Sequence, residues 1–528
     1  MQYDLTLTGG NVIDGTGTPR IRSDIAITGG QIATIGPGPF PARTTIDAAG
    51  CIVAPGFIDL HSHADFTLEA HPAAVTQIHQ GVTTLIVGNC GHSPFPATDS
   101  ARIRRATLFD DTQLSWSWND AAGFGLALRN AAPAVNVGLQ VGHNALRLEV
   151  LGDEDRQPTP AELAQMCALI ERSSTQPGVV GFSTGLIYAP GVFADSPEIL
   201  ALVAAAAGSG LLYSTHMRNE TSQLLAAVEE AIDAAELSQA RLEISHLKAM
   251  GPENWGSVKA ALDLIDAARL RGLDVAADVY PYTASSTTLL SRLPKWALDG
   301  GNDALLERLA DPATRDRIAT QLRARFGRDI DPEGVVLAEL PEGPYRKHIG
   351  LSIAAIGRLH GCDPAETALA VLAAHHATAT IVNHAMSDAD VTTVLTHPWV
   401  SVASDGWTMT ATGDGHPHPR SFGTFARVLG KYVREEHALP LEEAIRKMTS
   451  LPASRIGVTN RGTLRAGNAA DIVVFDPSTI IDTSTFDDPW HLATGVRTVL
   501  VNGIPTLLEG RTTGATGGQL ISKTPHRR

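Results

Sequence analysis

Along the first fifty residues, apolar and polar positions alternate in short runs that stop at glycines. Leu5-Thr6-Leu7-Thr8 ends at Gly9-Gly10, Asp24-Ile25-Ala26-Ile27-Thr28 at Gly29-Gly30, and Gln31-Ile32-Ala33-Thr34-Ile35 at Gly36. A period of two bounded by turn residues predicts strands. The last seventy residues repeat the pattern at 462–464, 471–475 and 496–503. Two β-rich ends around a different middle predict one small β domain, residues 1–55 plus 458–528, in which the termini meet. The tail from Thr512 to Arg528, rich in Gly and Thr, is expected to be mobile.

Between 56 and 457 the pattern changes to apolar strands alternating with helical stretches, which argues for parallel α/β architecture. Strands are predicted at 57–61, 84–90, 135–143, 178–184, 211–216, 242–246, 274–280, 379–384 and 400–405. Helical patterns fall at 160–172, 197–206, 221–234, 254–271 and 440–449. Eight strands close a barrel and this reading yields nine, so one of the last three is an addition. Uneven patterning at about 290–350 reads as an insertion over one rim. The expected fold is a distorted (β/α)8 TIM barrel with a small β-sandwich domain from both termini.

Composition narrows the function. The chain has 528 residues, 43% of them apolar and 18% charged, which suits a globular protein with a large core. A net charge of −15 argues against a nucleic-acid partner. No apolar run approaches the roughly eighteen residues of a membrane span. The start shows no basic segment followed by an apolar one, so no signal peptide is expected. Four scattered cysteines, Cys51, Cys90, Cys167 and Cys362, are no disulfide framework. A cytoplasmic setting is expected.

Chemistry sits at the carboxyl ends of barrel strands. Those ends here carry His61 and His63, Cys90, His143, Ser183, His216, His246, Tyr280, His384 and Asp405. His61 and His63 are two apart, so on a strand they project together as half of a metal site. Singly, His216 and His246 are as readily rim histidines, and Cys90 a small core residue. Together, His, His and Cys suit zinc with a fourth position open. Asp405 reads either as a turn aspartate before Gly406 or, beside a metal, as the group that moves a proton. Gly181-Phe182-Ser183-Thr184-Gly185 matches a serine-hydrolase elbow, but Leu186 to Gly191 cannot start the helix that motif needs.

Pro55-Gly56-Phe57-Ile58-Asp59-Leu60-His61-Ser62-His63, with the late Ala403-Ser404-Asp405-Gly406, resembles the amidohydrolase superfamily. Further segments are similar to the N-acyl-D-amino-acid deacylases, or D-aminoacylases. They are Gly88-Asn89-Cys90-Gly91, Gly142-His143-Asn144, Thr215-His216-Met217-Arg218, Ser245-His246-Leu247-Lys248 and His416-Pro417-His418-Pro419-Arg420. The resemblance runs from about Leu5 to Gly510. It implies zinc held tightly by Cys90, His216 and His246. It also implies a weaker second metal position at His61 and His63, and Asp405 shared between metal and catalysis. Lys248, Tyr282 and Arg292 match the family's grip on the substrate carboxylate, with Tyr188 and Ser286 in the pocket wall. Arg292 reads equally as a surface residue of the insertion. The implied substrate is a small molecule, an N-acyl-D-amino acid cleaved by water at its linear amide. Cyclic amides, unusual dipeptides and a non-catalytic scaffold are the alternatives. Side-chain and acyl preference, metal number and oligomeric state stay open.

Overall fold

The structure is a computed structural model and describes residues 2–106 and 114–523. Eight parallel strands form the barrel: β1 (Phe57–Asp59), β2 (Val82–Val87), β3 (Asn136–Gly142), β4 (Val179–Gly185), β5 (Leu212–His216), β6 (Arg241–Ile244), β7 (Val275–Val279) and β8 (Val400–Val402). Each pairs with the next in that order. All are buried on both faces, which is why they read as continuous apolar runs rather than alternating ones. The seam between β8 and β1 is closed by side chain and loop. Asp59 accepts from Ser404 N at 2.9 Å and from Ser404 Oγ. Beyond the strands, Asp405 N donates to His61 O at 2.8 Å and His63 N to Gly406 O at 2.9 Å.

The surplus strand is Thr380–His384. It pairs antiparallel with Ala284–Thr288 and Val335–Glu339 in a separate three-stranded sheet. That sheet and the helices between its strands carry their own apolar core, including Leu305, Ile318, Leu337 and Leu369. Helices Pro160–Ser174, Ser196–Gly208, Leu224–Ser238 and Val258–Leu270 cover the barrel. The first starts with a capping box, Thr159 and Glu162 bonding each other's backbone, which satisfies amides that a buried helix end would otherwise strand.

Strands from both termini share one nine-stranded sheet, joined where Ile52–Pro55 pairs antiparallel with Ile472–Phe475. The run at 462–464 forms no strand; Gly462 lies at φ +77° and turns the chain. The tail also differs from expectation. Gly518 N donates to Pro133 O and Ile521 N to Val137 O, both at 2.9 Å. Ile521 is 3% exposed and packs with Leu60, Ile86, Val180 and Leu212. One isoleucine at the end where the strands begin thus fixes a segment whose composition reads as loose. The remainder of the tail, 524–528, lies outside the described residues.

Candidate metal centre

Three positions of the site have backbones that L-residues rarely adopt: Cys90 at φ +54°, His246 at +37° and Asp405 at +51°. Such strain persists only where the surroundings impose it. At Cys90 they do so through Ser183. Its Oγ donates to Gly88 O and accepts from Gly91 N at 3.0 Å, clamping the loop on both sides of the cysteine. Gly88 itself has no room for a side chain, since a Cβ there would meet Gln140 O at 2.2 Å. Ser183 is therefore a loop clamp and its motif no nucleophile elbow.

The ends of β1, β2, β5, β6 and β8 converge. Among the described residues, two donor sets have all ligand atoms within 4.8 Å of one another: His61, His63, Cys90 and Asp405, and Cys90, His216 and His246. All six are buried. Cys90 Sγ lies 3.6 Å from His216 Nδ1, 3.5 Å from His246 Nε2 and 3.3 Å from His61 Nε2. Zinc–sulfur and zinc–nitrogen bonds at a tetrahedral angle put their donors about 3.6 Å apart. The cysteine-to-histidine edges at His216 and His246 match that separation, so this donor set fits a single zinc-sized ion. Burial alone would raise the Cys90 thiol, but His61, His246 and the hydrogen bonds from His216 and His246 outweigh it and hold it well below its ordinary range. A thiolate is the ligating form.

Asp405 joins the second set. Its Oδ1 lies 3.0 Å from His63 Nε2 and 3.3 Å from His61 Nε2, and its Oδ2 2.6 Å from Arg420 Nη1. Two further carboxylates, neither among the expected site residues, orient the rings. Glu220 Oε1 is 3.1 Å from His246 Nδ1, and Oε2 3.4 Å from His216 Nε2. Lys248 Nζ donates to the same Glu220 Oε1 at 2.5 Å. Burial would raise this acid, yet Lys248 and the two histidines hold it well below its ordinary range. Asp278 sits 3.3 Å from His61 Nδ1 and accepts from His246 N at 2.7 Å.

Above the donors lies a cavity of about 500 Å³ lined by His63, His216, His246, Asp405, Lys248, Tyr188, Ser286 and Arg292, with Tyr280 and Arg420. Tyr282 is not in its wall. Tyr282 N donates back to Tyr280 O at 3.0 Å across Pro281 in a tight turn, and both rings contact His418. The Tyr282 hydroxyl bonds Asp482 at 3.3 Å, whereas that of Tyr280 is buried without a hydrogen-bond partner. Of the remaining strand-end histidines, His143 is bound to Glu198 at 2.7 Å, and His384 packs on Phe486 with ring centroids 4.7 Å apart. Arg292 is 4% exposed and faces no carboxylate within ion-pair distance among the described residues. Burial, then Arg325 nearby, pushes it down to about 10. The local signals for Arg420 and Glu220 are the segment Pro417-His418-Pro419-Arg420 and the position four residues after His216.

A closed parallel barrel that aims four imidazoles, a thiol and a carboxylate at one point defines a metal-centred hydrolase scaffold. The amidohydrolase family model matches residues 44–506, and the chain belongs to that family. It is 38% identical to the N-acyl-D-glutamate deacylase of Alcaligenes xylosoxydans xylosoxydans, covering 95% of this chain and 93% of that protein. It is 36% identical to the D-aminoacylase of the same organism, covering 99% and 98%. Among solved structures it resembles the zinc- and phosphonate-bound N-acyl-D-glutamate deacylase of Bordetella bronchiseptica. There the TM-score is 0.82 and the identity 36%, over 98% of this chain and 99% of that one. A D-hydantoinase, 16% identical at a TM-score of 0.55 over 98% of both chains, shares the fold alone.

Proposed function

We propose that this protein is a zinc-dependent deacylase that hydrolyses the amide of N-acyl-D-amino acids to a carboxylate and a free D-amino acid. The observation that carries the reading is one cavity lined both by donors of the cluster (His63, His216, His246 and Asp405) and by Arg292, a buried guanidinium with no ion-paired carboxylate among the described residues. A carboxylate brought by a substrate supplies the partner that Arg292 lacks. Tyr280, with its unpaired hydroxyl, takes the place first given to Tyr282, and Tyr188 and Ser286 wall the same space. The D-configuration and the linear amide are supported by relatives that match this chain over almost its full length.

Cys90, His216 and His246 would hold the ion, with His61, His63 and Asp405 facing it as a second, weaker set. An ion in that place supplies Lewis acidity toward the amide carbonyl and toward water. Asp405 takes a proton from the attacking water and returns it to the departing amine. Arg420 on its far oxygen keeps it ionised for the first of these steps. Glu220 and Lys248 fix the histidine rings, and the Lys248 ammonium adds positive charge beside the carboxylate site. A reducing cytoplasm suits the unpaired Cys90 thiolate; among the described residues no helix is long and apolar enough to cross a membrane.

The test is a panel of N-acetyl-D-amino acids, their L-enantiomers and cyclic amides, with zinc measured on the same preparation. Turnover confined to the D-series with about one zinc per chain is the expected result. Activity on rings and none on the D-series would overturn it.

A further inference from the structure

A second hollow of about 910 Å³, part of it open to solvent, adjoins the catalytic cavity and shares Ser286, Thr380 and Trp407 with it. Its walls come from four separate parts of the chain. Phe66 follows β1 just beyond His63, Trp407 and Met409 follow β8 just beyond Asp405, and Ala338 comes from the inserted sheet. Trp490 completes it from the C-terminal segment and is pinned there. Its indole N–H donates to Gly415 O at 3.0 Å, and its ring meets Phe422 edge-on at 5.5 Å. Gly413 packs flat against that ring, where a Cβ would come within 2.4 Å. The apolar wall is therefore preformed.

The two spaces differ in charge. Lys248, Arg292 and Arg420 all line the inner cavity. Among the described residues the outer chamber has no lysine or arginine in its lining; its charged members are Glu339 and Asp414, with His71 lowered by burial and so neutral. Position around the barrel orders them further. Arg292 lies by Tyr188 and Glu220 on the β4–β5 side, whereas Phe66 and Trp407 lie on the β1–β8 side, with the metal donors between.

We infer that the outer chamber is the acyl subsite, and that it selects N-acyl-D-amino acids whose acyl group is extended and apolar or aromatic. The inference rests on the deacylase reading above. With a carboxylate at Arg292 and the amide at the donor cluster, the acyl chain, on the far side of the amide from the carboxylate, extends toward the β1–β8 side. An acetyl group at the donor cluster is too short to cover the aromatic wall of Phe66, Trp407 and Trp490. Each further methylene laid against the aromatic wall leaves water, and at about 0.8 kcal/mol per CH₂ that corresponds to roughly a fourfold gain. A second carboxylate on the acyl group would lose its water against the aromatic wall with no lysine or arginine in the lining to pair it, and is disfavoured.

The experiment uses the zinc-loaded protein and one amino acid, D-leucine, bearing acetyl, butanoyl, hexanoyl, octanoyl, phenylacetyl and succinyl groups. kcat/KM is expected to rise by about an order of magnitude per two carbons along the alkyl series, with succinyl below butanoyl. Met409→Glu, in the outer wall alone, should abolish the rise and leave N-acetyl-D-leucine turnover intact, which also reports folding. Binding of N-octanoyl-D-leucine to the metal-free protein, by calorimetry, should be tighter than that of the acetyl compound and lost in M409E. A flat series with normal acetyl turnover, and equal binding of short and long acyl groups, removes the subsite and leaves the deacylase standing. Extension of the amino-acid side chain giving the rise instead reverses the orientation and overturns the assignment. No turnover of any N-acyl-D-amino acid sinks both.

Discussion

Arg420 Nη1 lies 2.6 Å from Asp405 Oδ2, so the carboxylate that faces the donor cluster through one oxygen is anchored through the other. The pair is buried, and its partners on the opposite side, His61 and His63, are 3.3 and 3.0 Å away. Burial would raise Asp405, but Arg420 and then His61 outweigh it and hold the group well below the usual carboxylate range. A proton carrier built this way starts ionised and is precisely aimed only while both anchors hold.

Asp405→Asn keeps the shape and removes the proton acceptor. Turnover should fall by about 10²–10⁴-fold, while zinc stays bound through Cys90, His216 and His246. Metal analysis beside kcat separates the two effects; unchanged kcat would remove Asp405 from the chemistry.

Arg420→Met should act through Asp405. Arg420 lowers the pKa of a group that works deprotonated, so its loss raises that pKa. The acid limb of the kcat profile then moves to higher pH, and activity at low pH falls more than at high pH. A uniform drop at all pH values would show that Arg420 only shapes the cavity.

Glu220→Gln removes the charge that holds two ligand rings. Partners of this kind are worth about 10–100-fold in metal affinity when lost. The zinc dissociation constant, measured with a competing chelator, should weaken in that range while the fold by circular dichroism is unchanged.

The barrel and its ligands were legible because both leave local signatures. Strands buried on two faces are apolar runs, and a ligand at a strand end interrupts such a run with His, Cys or Asp. Partners that act across the fold leave weaker ones: Glu220, in a loop, and Arg420, at the start of a helix, are charged residues whose partners are decided only when the barrel brings them to His246 and Asp405. Tyr280 and Tyr282 show the limit of periodicity. Two apart, they would share one face of a strand, but the chain turns at Pro281, and only Tyr280 reaches the cavity while the Tyr282 hydroxyl bonds Asp482. Strand 380–384 could not be told from barrel strands because its apolar run is the same; its antiparallel partners decide its place. Ile521 was missed because one apolar residue in a polar tail carries no pattern.

That residue supports a test of its own. Ile521→Ala empties a position among Leu60, Ile86, Val180 and Leu212, and should cost about 2 kcal/mol or more by denaturant unfolding. No change would mean the tail leaves the barrel floor freely.

Lys447 gives a stability prediction far from the metal. It is fully buried, its Nζ donating to His397 O and, at 2.9 Å, to Val400 O beneath β8. Burial pushes it from its ordinary value of 10.5 down to about 7. The folded pKa thus lies below the unfolded one, and between about pH 7 and 10.5 the unfolded chain binds the extra proton. Stability from this group therefore rises with pH across that window, the cost being full below pH 7 and gone above 10.5. Lys447→Met does not titrate. The difference in unfolding free energy, wild type minus variant, should grow by about 2–3 kcal/mol between pH 7 and pH 9. Subtracting the variant cancels every other titrating group, so a difference that stays level over those two units would mean the ammonium remains charged in the folded protein.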